Sequence, residues 1–111
     1  MHVRKEVRGA VTVITMDGRL DSATAPRVQQ DLQALFPDEG VVVLDLSRTT
    51  YMSSAGLRVL LLIYRRAQHS AARLALTGLP PDVRAIMDAT GFLGFFTVVG
   101  SIEEGVEALS V

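Results

Sequence analysis

The sequence predicts one α/β domain spanning residues 1–111, with a mixed, mostly parallel β-sheet and about four α-helices. Its length suits a single hydrophobic core, and its composition, 49% hydrophobic and 21% charged, is typical of a folded chain. Strand-like and helix-like patterns follow one another in the order β-β-α-β-α-β-α-β-α. Within this order Val41–Leu44 is continuously apolar, as expected for an inner strand that is covered on both faces.

The chain begins with the pattern of a β-hairpin. Val3–Arg8 and Val11–Met16 have strand character, Gly9 supplies the turn between them, and Asp17-Gly18 interrupts the second strand. Strands that alternate with helices pair in parallel through right-handed crossovers. We therefore expect the first strand to be the antiparallel exception, at an edge of the sheet.

Helical spacing follows in two segments. In the first, Ser22 or Thr24 is the candidate cap, Pro26 lies in the first turn, and the core face carries Ala25, Val28, Leu32, Leu35 and Phe36. The second runs from about Ala55 to Ala67, and its core stripe is predicted at Leu57, Leu60, Leu61 and Tyr64.

Three more apolar residues make the second helix apolar nearly all round: Val59, Leu62 and Ile63. This surplus leaves two interpretations. One is burial between the sheet and a neighbouring helix. The other is a docking surface formed by Val59 and Ile63 beside Arg58 and Arg65.

The last third of the chain predicts two strands and two helices. Arg73–Thr77 and Phe95–Val99 are the strands, and the helix between them opens at Pro80-Pro81-Asp82 and ends at Gly91. The inner face of that helix is predicted to carry Val83, Ile86, Met87 and Thr90. The core around the last strand is expected to be closed by Phe92, Leu93, Phe95 and Phe96. Ser101 and Glu104 form a capping box for a final helix to about Leu109.

Composition and charge exclude several classes of function. The chain has no Cys, which excludes thiolate chemistry and Cys-based zinc sites. Its net charge is −1 and its arginines form no basic stripe, which argues against nucleic acid as a ligand. The N-terminus lacks the apolar run of a signal peptide, and the uncharged run Val59–Tyr64 is too short to cross a bilayer. We expect a cytoplasmic protein with no direct membrane insertion.

A catalytic serine is not expected either. A serine hydrolase needs a base within hydrogen-bond reach, but His2 is terminal and His69 lies at the far end of the second helix, roughly 20 Å from Ser54. The sequence has neither a Walker-type phosphate loop nor a dinucleotide fingerprint. We therefore predict no enzyme activity, no metal site and no cofactor.

The connection from Leu44 to the second helix is the best candidate for a functional segment, because sites in open α/β sheets lie beyond the carboxyl ends of strands. It is expected to place four of its polar side chains at one edge of the sheet: Asp45, Ser47, Ser53 and Ser54. Three of them have a structural alternative: Ser54 could be only a helix cap, Ser53 a cap or turn residue, and Asp45 could close a turn through its side chain. Asp21 has a similar structural alternative, because an aspartate before a helix often caps it. Gly56 permits either close packing or the approach of a partner.

The segments Asp45-Leu46-Ser47 and Tyr51-Met52-Ser53-Ser54-Ala55-Gly56-Leu57 together resemble the signature of the STAS domain, and most closely that of the anti-sigma factor antagonists. Gly18-Arg19-Leu20-Asp21 and Gly91-Phe92 extend the resemblance, and the order of elements matches along essentially the whole chain. The resemblance implies a STAS-like fold. The chain departs from the family pattern at two positions, with Ser53 where many antagonists have Asp and Ala55 where many have Ser or Thr.

The resemblance implies a partner-switching role in the regulation of bacterial transcription. Antagonists of this family bind an anti-sigma factor that is also a serine/threonine kinase, and so release a sigma factor. Phosphorylation of a serine at a helix start ends the binding, and a metal-dependent serine phosphatase restores it. Ser54 falls on the phosphoacceptor. The residues implied at the partner surface are Asp21, Asp45, Ser47, Ser53, Ser54, Gly56 and Arg58.

The physical chemistry of position 54 agrees with this role. A phosphate at a helix start meets unpaired N–H groups and a favourable dipole, so the fold should tolerate it. It adds about −1.5 to −2 charges, which oppose docking by desolvation and repulsion. The alternative within the same superfamily is a subunit that is not phosphorylated, either in a membrane lipid-transport ATPase complex or in a sensory scaffold.

Overall fold

The computed structural model describes residues 1–110 as an α/β fold in which the predicted elements occur in the predicted order. One further strand and a 3₁₀ helix at Phe92–Phe95 were not predicted. The strands are β1 His2–Arg8, β2 Val11–Leu20, β3 Glu39–Asp45, β4 Thr49–Met52, β5 Ala71–Thr77 and β6 Thr97–Val99. The α-helices are α1 Ala25–Leu35, α2 Ser54–Gln68, α3 Pro81–Ala89 and α4 Ile102–Leu109.

The sheet has the order β1-β2-β3-β5-β6, and β4 pairs with the last part of β2. β1 runs antiparallel to β2 at the edge, while all the other pairings are parallel, which confirms the predicted mixed sheet. β3 lies inside the sheet between β2 and β5, and Val41–Leu44 is buried throughout, as its continuous apolar run predicts.

Two layers of helix cover the sheet. On one face, Val42 and Leu44 of β3 join the main core with residues of α1 and α2, among them Leu32, Leu60 and Ile63. On the other face, α4 packs closely because it carries a glycine at position 105: a Cβ there would lie 3.0 Å from Val43 Cγ2 and 3.5 Å from Ala75 Cβ. Residues that alternate along β3 therefore serve two different helical layers.

The end of β2 differs from the prediction, because the strand continues through Gly18 to Leu20. Gly18 has a positive φ of 123°, and the register with β4 shifts between Gly18 and Arg19. A bulge of this kind bends a strand without ending it, so the glycine that was interpreted as a break is a kink. The buried Thr49 hydroxyl donates to the Met16 carbonyl at 3.0 Å and fastens β4 to β2 beyond the end of β3.

The buried face of α2 is rotated from the predicted stripe. Val59 and Ile63 are 2% and 1% exposed, whereas Leu61 and Tyr64 are only half-buried. The interpretation that Val59 and Ile63 form a docking surface is therefore wrong, and burial between the sheet and α1 accounts for the apolar surplus. The helix begins at Ser54, one residue before the predicted start.

The C-terminal third needs three further corrections. Ile86 is 46% exposed and Thr90 is exposed, so the inner face of α3 consists of Val83 and Met87. Phe95 is 52% exposed and stacks on Tyr64, while the other three residues predicted to close the core do pack against it: Phe92, Leu93 and Phe96. β6 begins at Thr97, because the 3₁₀ helix occupies the start of the predicted strand.

One of the two hydrogen bonds of the predicted capping box is present at the start of α4. The Glu104 N–H donates to Ser101 Oγ at 3.1 Å, as a capping box requires. The returning carboxylate, Glu104 Oε2, accepts from the N–H of Gly100 at 2.9 Å, one residue before the cap. None of the helices within residues 1–110 is long and apolar enough to cross a membrane.

The rotated face of α2 generates a stability prediction. Ile63→Ala removes a fully buried side chain and should lower the free energy of unfolding by about 2–5 kcal/mol. Leu61→Ala should cost about half as much or less, because Leu61 is half-buried. Urea denaturation of both variants beside the parent measures the two losses. Equal losses, or a larger loss for Leu61→Ala, would contradict the observed helix face.

Candidate functional site

The candidate site lies where β2 and β4 end and α2 begins. Leu20, the last residue of β2, pairs with Met52 of β4, and the Ser53 N–H donates to the Leu20 carbonyl at 2.9 Å. The Leu57 N–H then donates to the Ser53 carbonyl at 3.0 Å, which starts the helix directly after the strand. Only Ser53 lies between β4 and α2, so no loop separates Ser54 from the sheet.

Ser54 is the first residue of α2 and is exposed. The prediction that it lies at a helix N-terminus is therefore confirmed. Its hydroxyl is accessible to another protein, and the positive end of the helix dipole lies beside it. A phosphate at this position would be attached where the first N–H groups of the helix point outward.

Ser53 has the position of an N-cap without the usual side-chain bond. Its backbone is extended, with φ −89° and ψ 179°, but its side chain makes no cap hydrogen bond. Its Oγ is buried and has no partner among the residues that the structure describes. The interpretation of Ser53 as a capping side chain is therefore wrong, although its backbone does occupy the cap position.

Gly56 allows the first turn of α2 to contact the strands directly. A Cβ at this position would lie 2.7 Å from Met52 Cγ, 2.8 Å from Leu20 Cγ and 2.9 Å from the Leu20 carbonyl oxygen. The residue is buried, which supports the close-packing interpretation of this glycine. Gly56 thus allows the start of α2 to lie directly against the strands. It lies on the buried side of the helix, below the surface that carries Ser54.

The two aspartates of the motif are held by local turns. Asp21 Oδ1 accepts from the Thr24 N–H at 3.1 Å and the Ala23 N–H at 3.0 Å. The Thr24 N–H bond, with help from Ala23 and from the nearby Arg19 guanidinium, lowers the pKa of Asp21 below its ordinary value. Asp45 Oδ1 accepts from the Ser47 N–H at 2.9 Å. Both side chains therefore close local turns, as predicted for Asp45. Asp21 was predicted to cap the first helix, but the N-cap position of α1 belongs to Thr24.

Asp45 and Ser47 do not lie beside Ser53 and Ser54, although the sequence pattern predicted one shared edge. Asp45 pairs with Thr15 of β2, whereas Met52 pairs with Leu20, five residues further along the same strand. Five extended residues span roughly 16 Å. The insertion of β4 moves the two serines past the end of β3 and away from Asp45.

A cation–π pair beside the site was not predicted from the sequence. The Arg19 guanidinium lies 4.4 Å from the centre of the Tyr51 ring, and its Nε is 3.6 Å from Asp21 Oδ2. Tyr51 is 41% exposed. The contact follows from the pairing of Arg19 with Tyr51 across β2 and β4, so it could be foreseen only once β4 is recognised as a strand.

One exposed or half-buried strip runs along α2 from the site. We call it the α2 strip, and it consists of Ser54, Arg58, Leu61, Leu62 and Arg65. These residues share a face because they recur at three- and four-residue spacing. α2 contains no acidic residue, and within residues 1–110 neither arginine of the strip takes part in an ion pair. The strip is therefore cationic, with two leucines between its charges.

The unpartnered hydroxyl of Ser53 generates an unusual expectation for a cap position. Ser53→Ala should leave the free energy of unfolding unchanged or raise it by up to about 1 kcal/mol, because it removes a buried polar atom that has no hydrogen-bond partner within residues 1–110. The matched control is Ser101→Ala, which removes a true capping bond and should cost about 1 kcal/mol. Denaturant unfolding compares the two. A loss at Ser53 equal to that at Ser101 would show that Ser53 does cap α2.

Comparison with known proteins finds a matching family and several similar sequences. The family model for the STAS domain matches residues 2–105. The protein BtrV of Bordetella bronchiseptica, described as an anti-sigma factor antagonist, is 38% identical over 97 residues, which cover 86% of this chain and 84% of BtrV. An anti-sigma-B factor antagonist of Listeria monocytogenes is 32% identical over 79 residues, covering 70% of this chain and 69% of the relative.

The fold of a solved relative agrees. The crystal structure of an anti-sigma factor antagonist from Mycobacterium paratuberculosis superimposes with a TM-score of 0.82, at 23% identity, over 99% of this chain and 94% of that one. The family match spans nearly all the described residues, including β4 and the start of α2. The chain therefore belongs to the STAS domain family.

Proposed function

We propose that this protein is an anti-sigma factor antagonist that works by partner switching. It binds an anti-sigma factor that is also a serine/threonine kinase, and this binding releases a sigma factor for transcription. The observation that carries the proposal is the exposed hydroxyl of Ser54 at the first position of α2, inside the segment that resembles the antagonist signature. The relatives described as antagonists support the same function. A cytoplasmic location follows, because sigma factors act there.

The switch is a phosphoryl transfer to Ser54. Its Oγ attacks the γ-phosphorus of ATP held by the kinase, the bond from that phosphorus to the bridging oxygen breaks, and ADP leaves. A base of the kinase takes the hydroxyl proton. A metal-dependent serine phosphatase reverses the state by hydrolysis, in which water displaces Ser54 Oγ and inorganic phosphate is released. The antagonist needs no catalytic residue of its own in either step.

The proposed partner surface is centred on the site. Ser54 and Arg58 lie on the α2 strip, and Asp21 stands at the end of β2, held in place by its turn. Ser53 and Gly56 contribute from below, by joining the helix to the strands. Asp45 and Ser47, at the end of β3, belong to the periphery of this surface. A phosphate on Ser54 would place about −1.5 to −2 charges in its centre and so oppose docking.

The exposed acceptor favours this function over that of a STAS subunit that is not phosphorylated, because a subunit of that kind has no need of a hydroxyl at this position. Ser53 takes the place where many antagonists have Asp. A buried neutral hydroxyl there gives a kinase no carboxylate to recognise. Recognition must then rest on the surrounding surface, such as the exposed Arg19 and Tyr51 pair.

Phosphorylation is the direct test of the function. With a purified anti-sigma factor kinase, ATP and Mg²⁺, we expect one phosphate, on Ser54. Ser54→Ala should abolish the modification, and Ser53→Ala should leave it, because the Ser53 hydroxyl is buried. Intact mass and peptide mass spectrometry measure both results. Phosphate on Ser53 or Thr50 would refute the assignment, and no phosphate with any such kinase would favour the role of an unmodified subunit.

A further inference from the structure

Ser54 and Arg58 stand one helical turn apart on the same exposed face of α2. Side chains at positions i and i+4 of a helix are neighbours on its surface. The order matters as well: an acidic group N-terminal to a base is the favourable arrangement, because each charge then also suits the helix dipole. A phosphate on Ser54 would create this order with Arg58.

Arg58 is free to take such a partner. α2 has no carboxylate, and Arg58 makes no ion pair or side-chain hydrogen bond within residues 1–110. Other charges on and around α2 already have partners. Arg66 of α2 pairs with Asp38 at 2.7 Å, Arg27 of α1 with Asp31 at 3.9 Å, and Arg19 with Asp21 at 3.6 Å. Arg73 of β5, which also packs on α2, donates to the Leu109 carbonyl. β4, which also packs on α2, carries no charged side chain at neutral pH.

Arg65, the other arginine of the α2 strip, is equally unpaired but is too distant to compete. It lies eleven residues from Ser54, or roughly 16 Å along the helix axis. Arg58 is thus the one cation on α2 that is both unpaired, within the described part of the chain, and within a single turn of the phosphoacceptor. Arg65 supplies a matched control on the same helix face.

We propose that Arg58 is the residue that binds the phosphate of phosphorylated Ser54. The inference rests on the proposed phosphorylation of Ser54 and adds which side chain binds the phosphate. The planar guanidinium donates two parallel hydrogen bonds to phosphate oxygens, a geometry that suits arginine and phosphate. The side chain is thereby drawn back along α2 toward its N-terminus. Phosphorylation then removes a cation from the partner surface as well as adding an anion to it.

The consequence is a switch with two parts on one helix. In the unmodified protein, Arg58 is available to a carboxylate of the partner. In the phosphorylated protein, the same guanidinium is occupied within its own helix, so the partner meets a phosphate and loses the arginine contact. Both changes act on the exposed face, while the buried face, with Val59 and Ile63, is unaffected.

The experiment requires neither a kinase nor a partner. Phosphoserine is incorporated at position 54 during translation, and the second pKa of its phosphate is measured by ³¹P NMR titration. In Arg58→Gln this pKa should be higher than in the Arg58 protein by about 0.3 pH unit, because a nearby guanidinium favours the dianion. Arg65→Gln should leave it unchanged, and Arg58→Lys should recover part of the difference. The difference should shrink in high salt, since the pair is exposed.

The outcomes separate this proposal from the proposed function. Equal phosphate pKa values in the Arg58 protein and in Arg58→Gln, with both folded by circular dichroism, would overturn the pair even if a kinase phosphorylates Ser54. An equal shift in Arg65→Gln would also overturn it, because the effect would then be the general charge of the helix. A shift specific to Arg58 supports the pair even where the kinase assay fails.

Discussion

The first turn of α2 lies so close to the end of β2 that position 56 has no room for a side chain. The Leu20 carbonyl oxygen would be 2.9 Å from a Cβ at that position, and the same carbonyl accepts the N–H of Ser53. Two contacts therefore hold the start of α2 against the end of β2: the hydrogen bond from the Ser53 N–H to the Leu20 carbonyl, and the close approach of Gly56 to Leu20. The position of Ser54 at the surface depends on these two contacts, because Ser54 lies between Ser53 and Gly56 in the chain.

This close contact between helix and strand bears on the proposed regulation. Because Ser54 is exposed while Ser53 and Gly56 contact the end of β2, a modification of Ser54 would change the surface charge without a need to rearrange the core. The N-terminus of a fifteen-residue helix favours the added negative charge. The cationic α2 strip lies on the same face, so the added charge also alters what the strip presents to a partner. Under the proposed function, we therefore expect a phosphate on Ser54 to change partner affinity more than fold stability.

The sequence predicts those features of the fold that depend on residues close together in the chain. The continuous apolar run of Val41–Leu44 reflects burial on both faces of β3, and the alternation of patterns reflects the layers of the fold. Ser54 was placed at a helix start because its motif is local. What was missed depends on long-range pairing. β4 has only four residues, and its strand character arises from the bulged continuation of β2 past Gly18.

The same missing strand explains the errors at the site. Without β4, the sequence places Asp45 and Ser47 at one edge with the two serines, and it gives no basis for the contact of Arg19 with Tyr51. The unpartnered Oγ of Ser53 has a different origin, because it depends on the side-chain conformation at the cap rather than on any pattern of residue types. The error in the core stripe of α2 has a third origin. When a helix is apolar nearly all round, its sequence does not reveal which face is buried.

The central claim is that charge at position 54 acts on the interface and not on the fold. Calorimetric titration of the anti-sigma factor with the parent, Ser54→Ala and Ser54→Asp, beside thermal melts of each, tests it most directly. Ser54→Asp should weaken binding by about 1–3 kcal/mol, because an unpaired charge enters a docked surface. Its melting temperature should change little, since an acidic residue suits a helix start, and Ser54→Ala should bind nearly as the parent does. Binding by Ser54→Asp as tight as that of the parent, or a loss explained by unfolding, would contradict the claim.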